Sequence, residues 1–353
     1  MKHEIEEKIQ QAKNIFVFTG AGVSTASGLG TYRGKDGILE SNYKNYKASE
    51  ISHVRMLKSN PKLFWEFKLQ TLIPGLFVKP NRAHIALVLL EKYCQRTQKG
   101  FSLVTQNVER LHQRAGSQNV TEVHGHVSQL TCTNLLSCRA VFNTKAYLAQ
   151  QQEQVPLPLR CPKCDSVLRI PVVLFGEKYP SGMIELLKMK IKNHADLFLS
   201  AGTSYQLFSP ITSFPRIFKS YREQGSLLDF NITKSHVSKS FADYFIEGPC
   251  DETLWDSFDF ILQEFPLVPY IYELRSDTFA EGLQLAKILE IQKKTGVSNT
   301  EILTLLQDSF LLDSKSISIL GDKMQENRSD INGIWNALAL LVEKNKVKWQ
   351  DLL

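Results

Sequence analysis

The amino-acid sequence predicts an α/β protein with a parallel sheet, a small zinc-binding lobe and an all-helical C-terminal extension. Three observations carry this. Short apolar runs alternate with helical patterns up to residue 250, the rhythm of strand–helix units that build a parallel sheet. Four of the six cysteines crowd between residues 132 and 164 and interrupt that rhythm. From residue 266 onward the strand signals stop and amphipathic helical patterns replace them.

A chain of 353 residues, 43% apolar and 22% charged, is neither disordered nor fibrous, and it is long enough for one large domain plus a smaller one. Residues 1–13 read as a short charged helix without the apolar core of a secretory signal. They feed "NIFVFT", a nearly continuous apolar run of the kind expected for a strand buried on both faces. Comparable runs are "FSLVT" at 101–105, "PVVLF" at 171–175, "ADLFLSAGTS" at 195–204, "SLLDFN" at 226–231 and "DYFIEG" at 243–248. Helical patterns such as "NRAHIALVLLEKYCQ" and "YPSGMIELLKMKIKNH" lie between them.

In the tail, "SNTEILTLLQD" opens with Ser298 and Glu301 at capping-box spacing. Ile331, Ile334, Trp335, Leu338, Leu341 and Val342 share one helix face further on. The expected domains are therefore 1–265, with the cysteine insertion at 128–170, and a helical unit at 266–353. The longest apolar stretches, "HIALVLL" and "LALLV", are far too short to span a bilayer. No membrane partner is expected, and cytosolic residence is the default, with nuclear residence the alternative.

Net charge is +6, yet residues 265–353 hold 10 Lys/Arg against 12 Asp/Glu, so the basic excess lies on the motif-bearing part. That suits an anionic ligand. The tail segment "KKTGVSNTEILTLLQ" resembles a helix-turn-helix, but a net charge of −2 is the wrong sign for binding DNA. Packing on the first domain, or assembly, is the role expected of the tail.

Directly after the first strand comes "GAGVSTASGLGTYRG". Gly20 and Gly22 begin a dinucleotide fingerprint, although Thr25 stands where its third glycine belongs. Ser24, Thr25 and Ser27 add hydroxyl donors, and Tyr32-Arg33-Gly34 ends the loop with a planar permanent cation. "TQN" at 105–107 closes another strand with side chains able to hold a ribose or an amide, unless Asn107 serves only as a helix cap. "EVHGH" supplies His124 and His126, the residue type suited to moving a proton near neutral pH. Gly202-Thr203-Ser204 and Asn231 end two further strands. Ligands of parallel sheets sit at these carboxyl ends, and so many small-residue loops there imply one long ligand across the sheet.

Cys161-Pro-Lys-Cys164 forms a knuckle, and with Cys132 and Cys138 it makes a four-thiolate set suited to structural zinc. The competing reading makes Cys132 and Cys138 separate core thiols. Cys94 and Cys250 stand apart and read as small buried hydrophobes.

These pieces, in this order, resemble the sirtuin family of NAD-dependent protein deacylases. The matching stretches are "GAGVSTASG", "YRG", "TQNVERLH", "VHGH", "CPKC" with its partner cysteines, "RIPVVLFGE", "AGTS" and "FN", spread over residues 14–250. The resemblance implies a Rossmann-like domain and a zinc lobe, with NAD in the cleft between them. It implies that Gly20, Ala21, Gly22 and Ser24 line the dinucleotide loop and that Tyr32 and Arg33 close over the nicotinamide side. Gln106, Asn107 and Glu109 would face the nicotinamide and its ribose, and His124 would be the general base. Gly202, Thr203, Ser204, Asn231 and Cys250 would hold the phosphate and adenosine side. Asn107 and Arg33 join His124 in the expected catalytic set. Val173, Leu174, Phe175, Gly176 and Glu177 would carry an extended peptide by strand addition. In the implied reaction nicotinamide leaves, the acyl amide oxygen attacks the oxocarbenium-like sugar, and His124 takes a ribose proton.

Three departures from the family pattern stand out. "WEFKLQT" puts Lys68 and Thr71 where the desuccinylase-type branch has a Tyr and an Arg that read acidic acyl groups. The Arg fork is lost, which counts against a preference for negatively charged acyl groups, although Lys68 can still meet a carboxylate as a point charge. Glu109 replaces an Asp, and five residues rather than two separate Cys132 from Cys138, which predicts a looser knuckle. The first alternative to deacylation is mono-ADP-ribosyl transfer or NAD hydrolysis, from the same activated sugar. The second is a non-catalytic NAD-sensing scaffold, against which an intact His124, Asn107 and Arg33 argue.

Overall fold

A computed structural model describes residues 1–31, 37–38, 42–151, 155–205 and 209–264. The expected helical unit at 266–353, including Ser298, Glu301 and the face from Ile331 to Val342, lies outside the described residues.

In chain order the strands are β1 (Asn14–Thr19), β2 (Asn42–Tyr43), β3 (Tyr46–Lys47), β4 (Gly100–Thr105), β5 (Val120–Glu122) and β6 (Gln129–Cys132). They continue with β7 (Val141–Asn143), β8 (Leu168–Arg169), β9 (Leu197–Ala201), β10 (Ser226–Asn231) and β11 (Tyr244–Glu247). Six of them form one sheet in the order β11-β10-β9-β1-β4-β5, every pairing parallel. Counting only those six along the chain, the order is the doubly wound 3-2-1-4-5-6, whose direction reverses between β1 and β9. The apolar runs are there because helices cover both faces. On one face Phe16, Phe18, Phe198, Phe214 and Phe218 pack with Ile184, Leu187 and Ile191 of helix Met183–Asn193. On the other, helix Arg82–Arg96 packs against helix Cys250–Ser257. Asn81 caps the former by accepting the Ala83 N–H at 2.9 Å.

The small lobe is a three-stranded antiparallel sheet, β7-β6-β8, with its own core around Leu130, Leu159, Leu168 and Ile170. Helix Pro61–Thr71 is pinned to it by Trp65, whose indole N–H donates to the Leu168 carbonyl at 2.8 Å. Among the described residues no helix is long and apolar enough to cross a membrane.

One expected strand differs. "PVVLF" at 171–175 forms no strand; it touches its neighbours through isolated bridges, Gly125 to Val172 and His53 to Phe175. Its β-forming residues have no continuous partner strand among the described residues. The polar β5 and the short strands of the lobe carry too few apolar residues for their pairing to show in the sequence.

Candidate active site

The reversal between β1 and β9 is where the chain has removed its side chains. Gly20 N–H donates to Ala201 O and Gly22 N–H to Gly202 O, both at 2.9 Å. A Cβ on Gly22 would lie 2.7 Å from Gly202 Cα, and one on Gly20 the same distance from Gly202 O. Two loops thus touch backbone to backbone and present one small-residue floor at the carboxyl ends of their strands.

That floor opens into a cavity of about 1290 Å³. Its lining unites Gly20, Ala21, Gly22, Gln106, Asn107, His124, Gly202, Thr203, Ser204, Asn231 and Cys250 with Lys68 and Val173 through Glu177. Ser24 and Glu109 line a small adjoining pocket together with Ala21 and Asn107. Tyr32 and Arg33 lie outside the described residues.

The polar residues of the floor are tied to one another. Gln106 Nε2 donates to Thr203 Oγ1 at 2.9 Å, and Asn231 Nδ2 donates to Thr203 O at 2.9 Å. Asn107 Nδ2 donates to Gly20 O at 3.1 Å and to Ser24 Oγ at 3.0 Å. Ser24 Oγ in turn donates to Glu109 Oε1 at 2.6 Å, while Glu109 Oε2 accepts the Val108 N–H at 3.0 Å. The Glu109 carboxylate thus bridges the Ser24 hydroxyl and the backbone N–H of the preceding residue. Cys250 is buried, and burial pushes its thiol up to about 12, so it is an inert wall.

His124 sits at the centre, beside Gly125. Gly125 has φ +75°, and a Cβ there would fall 2.0 Å from Pro171 O, so only glycine lets the 171–177 segment come this close. His124 Nδ1 lies 2.9 Å from Gln106 O. A carbonyl only accepts, so Nδ1 carries the proton and Nε2 bears the lone pair. Burial lowers the pKa of His124, and the Gln106 hydrogen bond opposes this in part. The ring is therefore a neutral base with its acceptor nitrogen toward Tyr179.

The 171–177 segment is stitched down on both sides. Val173 N–H donates to His124 O, Phe175 N–H to Ser52 O, and Val54 N–H to Phe175 O. Glu177 anchors its end through a two-pronged pair with Arg169, at 2.6 and 2.9 Å.

Lys68 is 4% exposed and lines the same cavity. Its Nζ donates to Ser52 Oγ at 2.8 Å and lies 5.4 Å from the ring centres of both Phe64 and Phe67. No carboxylate pairs with it among the described residues, and burial lowers its pKa to about 7. Thr71 turns back instead, donating to Phe67 O. The sequence marked Lys68 but gave no sign of Ser52, Leu72 or Tyr179, which line the cavity beside it and carry no motif of their own.

In the small lobe the ligand atoms of Cys132, Cys138, Cys161 and Cys164 lie within 4.8 Å of one another. The Cys132–Cys164 and Cys138–Cys161 sulfur separations are 3.4 and 3.7 Å, close to the roughly 3.8 Å edge of a tetrahedron with 2.3 Å zinc–sulfur bonds. The donor set fits structural zinc. Across the long gap between Cys132 and Cys138 the four sulfurs stay within 4.8 Å of one another. Asn134 absorbs the extra residues by accepting Ser137 N–H on its side chain, with Cys138 N–H and Arg139 N–H on its carbonyl.

A sequence profile of the Sir2 family matches residues 20–209, from the glycine floor through the cysteines and the 171–177 segment. The chain belongs to the Sir2 family. An NAD-dependent protein deacylase of Pyrococcus abyssi is 36% identical over 256 residues, which is 71% of this chain and 94% of that one. A solved Sir2 homologue in complex with NAD superposes with TM-score 0.62 at 29% identity, covering 75% of this chain and 95% of its own. A Sir2 bound to a deacetylated p53 peptide and 3'-O-acetyl ADP-ribose gives TM-score 0.61 at 25% identity, over 74% and 97%. The Sir2 match places the zinc lobe, the glycine floor and the His124 cleft within one family architecture.

Proposed function

We infer that the protein is an NAD-dependent protein lysine deacylase that releases nicotinamide and transfers the acyl group to ADP-ribose. The observation that carries this is His124. A histidine held neutral, with its unprotonated nitrogen toward the Tyr179 hydroxyl at the cavity, stands between a backbone floor stripped of side chains and a strand-like segment without a continuous partner strand among the described residues.

We assign the floor to NAD as a substrate. Gly20, Ala21 and Gly22 would let backbone N–H groups approach the pyrophosphate, as nests do, and the Gly20–Gly202 contact is a cradle that any Cβ would fill. Gln106 and Asn107 face the nicotinamide ribose, and Glu109 and Ser24 border the adjoining small pocket. Thr203, Ser204, Asn231 and the Cys250 backbone lie on the adenosine side. Val173 through Glu177 would pair with the peptide that bears the acyl-lysine. When bound, NAD supplies a sugar carbon whose bond to nicotinamide is broken as the acyl oxygen bonds to it. His124 Nε2 accepts the ribose hydroxyl proton, which requires the neutral ring that its buried setting favours. Lys68 lies in the same cavity, where it would meet the acyl group, and with no carboxylate paired to it among the described residues it favours acyl chains that end in one.

Residues 266–353 we propose as a separate helical unit serving assembly. The functional test is nicotinamide release from NAD, alone and with acetyl-, succinyl- and long-chain-acylated peptides. Release that needs an acyl-peptide and is lost in His124→Ala supports deacylation. Equal release without peptide would replace it with NAD hydrolysis or ADP-ribosyl transfer.

A further inference from the structure

Tyr179 follows the peptide-lane segment, and nothing in the proposed reaction calls for it. Its hydroxyl is nevertheless 3.1 Å from His124 Nε2, with the two rings nearly parallel and their centres 5.8 Å apart. On its other side the same hydroxyl lies 2.6 Å from Ser209 Oγ.

The proton count along this chain is determined. His124 Nδ1 gives its proton to Gln106 O, so Nε2 can only accept. Tyr179 has one proton, and it goes to Nε2. Ser209 therefore donates to the Tyr179 oxygen, and the bonds run Ser209 to Tyr179 to His124.

A neutral imidazole has one in-plane lone pair, and a general base must bring its nitrogen within about 2.6–3.2 Å of the atom whose proton it removes. The ribose hydroxyl and the Tyr179 hydroxyl need the same lone pair. We propose that Tyr179 is a displaceable latch on the base: its hydroxyl fills the Nε2 lone pair in the free enzyme and is expelled when the ribose of NAD arrives. Ser209 makes the release cheap, because the freed Tyr179 O–H can turn and donate to Ser209 Oγ. The latch also holds His124 in the tautomer that the reaction needs, so the base is protected and preset at once. Tyr179 is thus a positioning residue that acts through His124.

The proposal rests on the deacylase reading, and the experiment separates the two. Initial rates at saturating acyl-peptide give KM for NAD and kcat for the parent, Tyr179→Phe and His124→Ala. In parallel, the ¹⁵N chemical shift of His124 Nε2 is read in the free parent and in free Tyr179→Phe. The latch predicts that Tyr179→Phe lowers KM for NAD about fivefold, the ratio that one net neutral hydrogen bond is worth. It also predicts that Nε2 moves toward the position of an unbonded pyridine-type nitrogen. An unmoved Nε2 resonance or an unmoved KM overturns the latch. A kcat that drops tenfold or more at constant KM also overturns it, since the hydroxyl then works in the reaction itself. Full activity in His124→Ala would instead sink the base assignment, whatever Tyr179 does.

Discussion

Replacing Lys68 with methionine tests whether burial in the cleft lowers the pKa of this lysine as far as its surroundings imply. Lys68 is 4% exposed, and burial takes its pKa from 10.5 to about 7. Between those values the unfolded chain binds a proton that the folded chain does not. Folding stability of the parent therefore rises with pH across this window, by about 1.4 kcal/mol per unit, and the penalty is fully present below about pH 7. From pH 7 to pH 9 the parent should recover about 2 kcal/mol at this site. Lys68→Met has no such group, so its advantage over the parent should shrink by about 2 kcal/mol across the same interval. The lost bond to Ser52 is a nearly pH-independent offset, and other titrating groups cancel between the two proteins. Urea unfolding followed by tryptophan fluorescence at both pH values gives the difference directly. A stability difference that stays constant from pH 7 to pH 9 would refute the lowered pKa, and with it the buried setting assigned to Lys68.

Three further outcomes follow from the same geometry. Lys68→Met should lose rate on succinyl-peptide relative to acetyl-peptide, by about tenfold if one charged hydrogen bond is lost; competition between the two peptides reads the ratio. Gly22→Ala drives a Cβ to 2.7 Å from Gly202 Cα, where only backbone can yield. It should cost about 1–3 kcal/mol in stability and weaken NAD binding, checked by thermal melts with and without NAD. Cys161→Ala removes one of four sulfurs within 4.8 Å, so metal analysis should show the zinc lost or loosely held, and the lobe should become sensitive to proteolysis.

The parallel sheet was legible because β1, β9 and β10 are buried on both faces and must be written in apolar residues. The glycine floor was legible for the opposite reason: close approach of two backbones removes side chains, and the sequence records the removal. The cysteine set showed in its spacing, although the closing turn at Asn134 did not, since an Asn in a loop has many uses. "PVVLF" has strand composition without strand pairing, a distinction that only its neighbours settle. The burial of Lys68 was invisible, because lysine on a helix ordinarily points to water. Its depth comes from Phe64, Phe67 and Ser52 closing around it. Tyr179 carried no signal at all, since its meaning is a distance to His124 across 55 residues.

The most direct test of the central claim is a mass balance of products after incubation with NAD and an acylated peptide. Deacylation predicts nicotinamide, bare peptide and O-acyl-ADP-ribose in equal amounts, with the acyl mass found on the ADP-ribose. Free ADP-ribose or ADP-ribosylated protein, with the peptide still acylated, would contradict it.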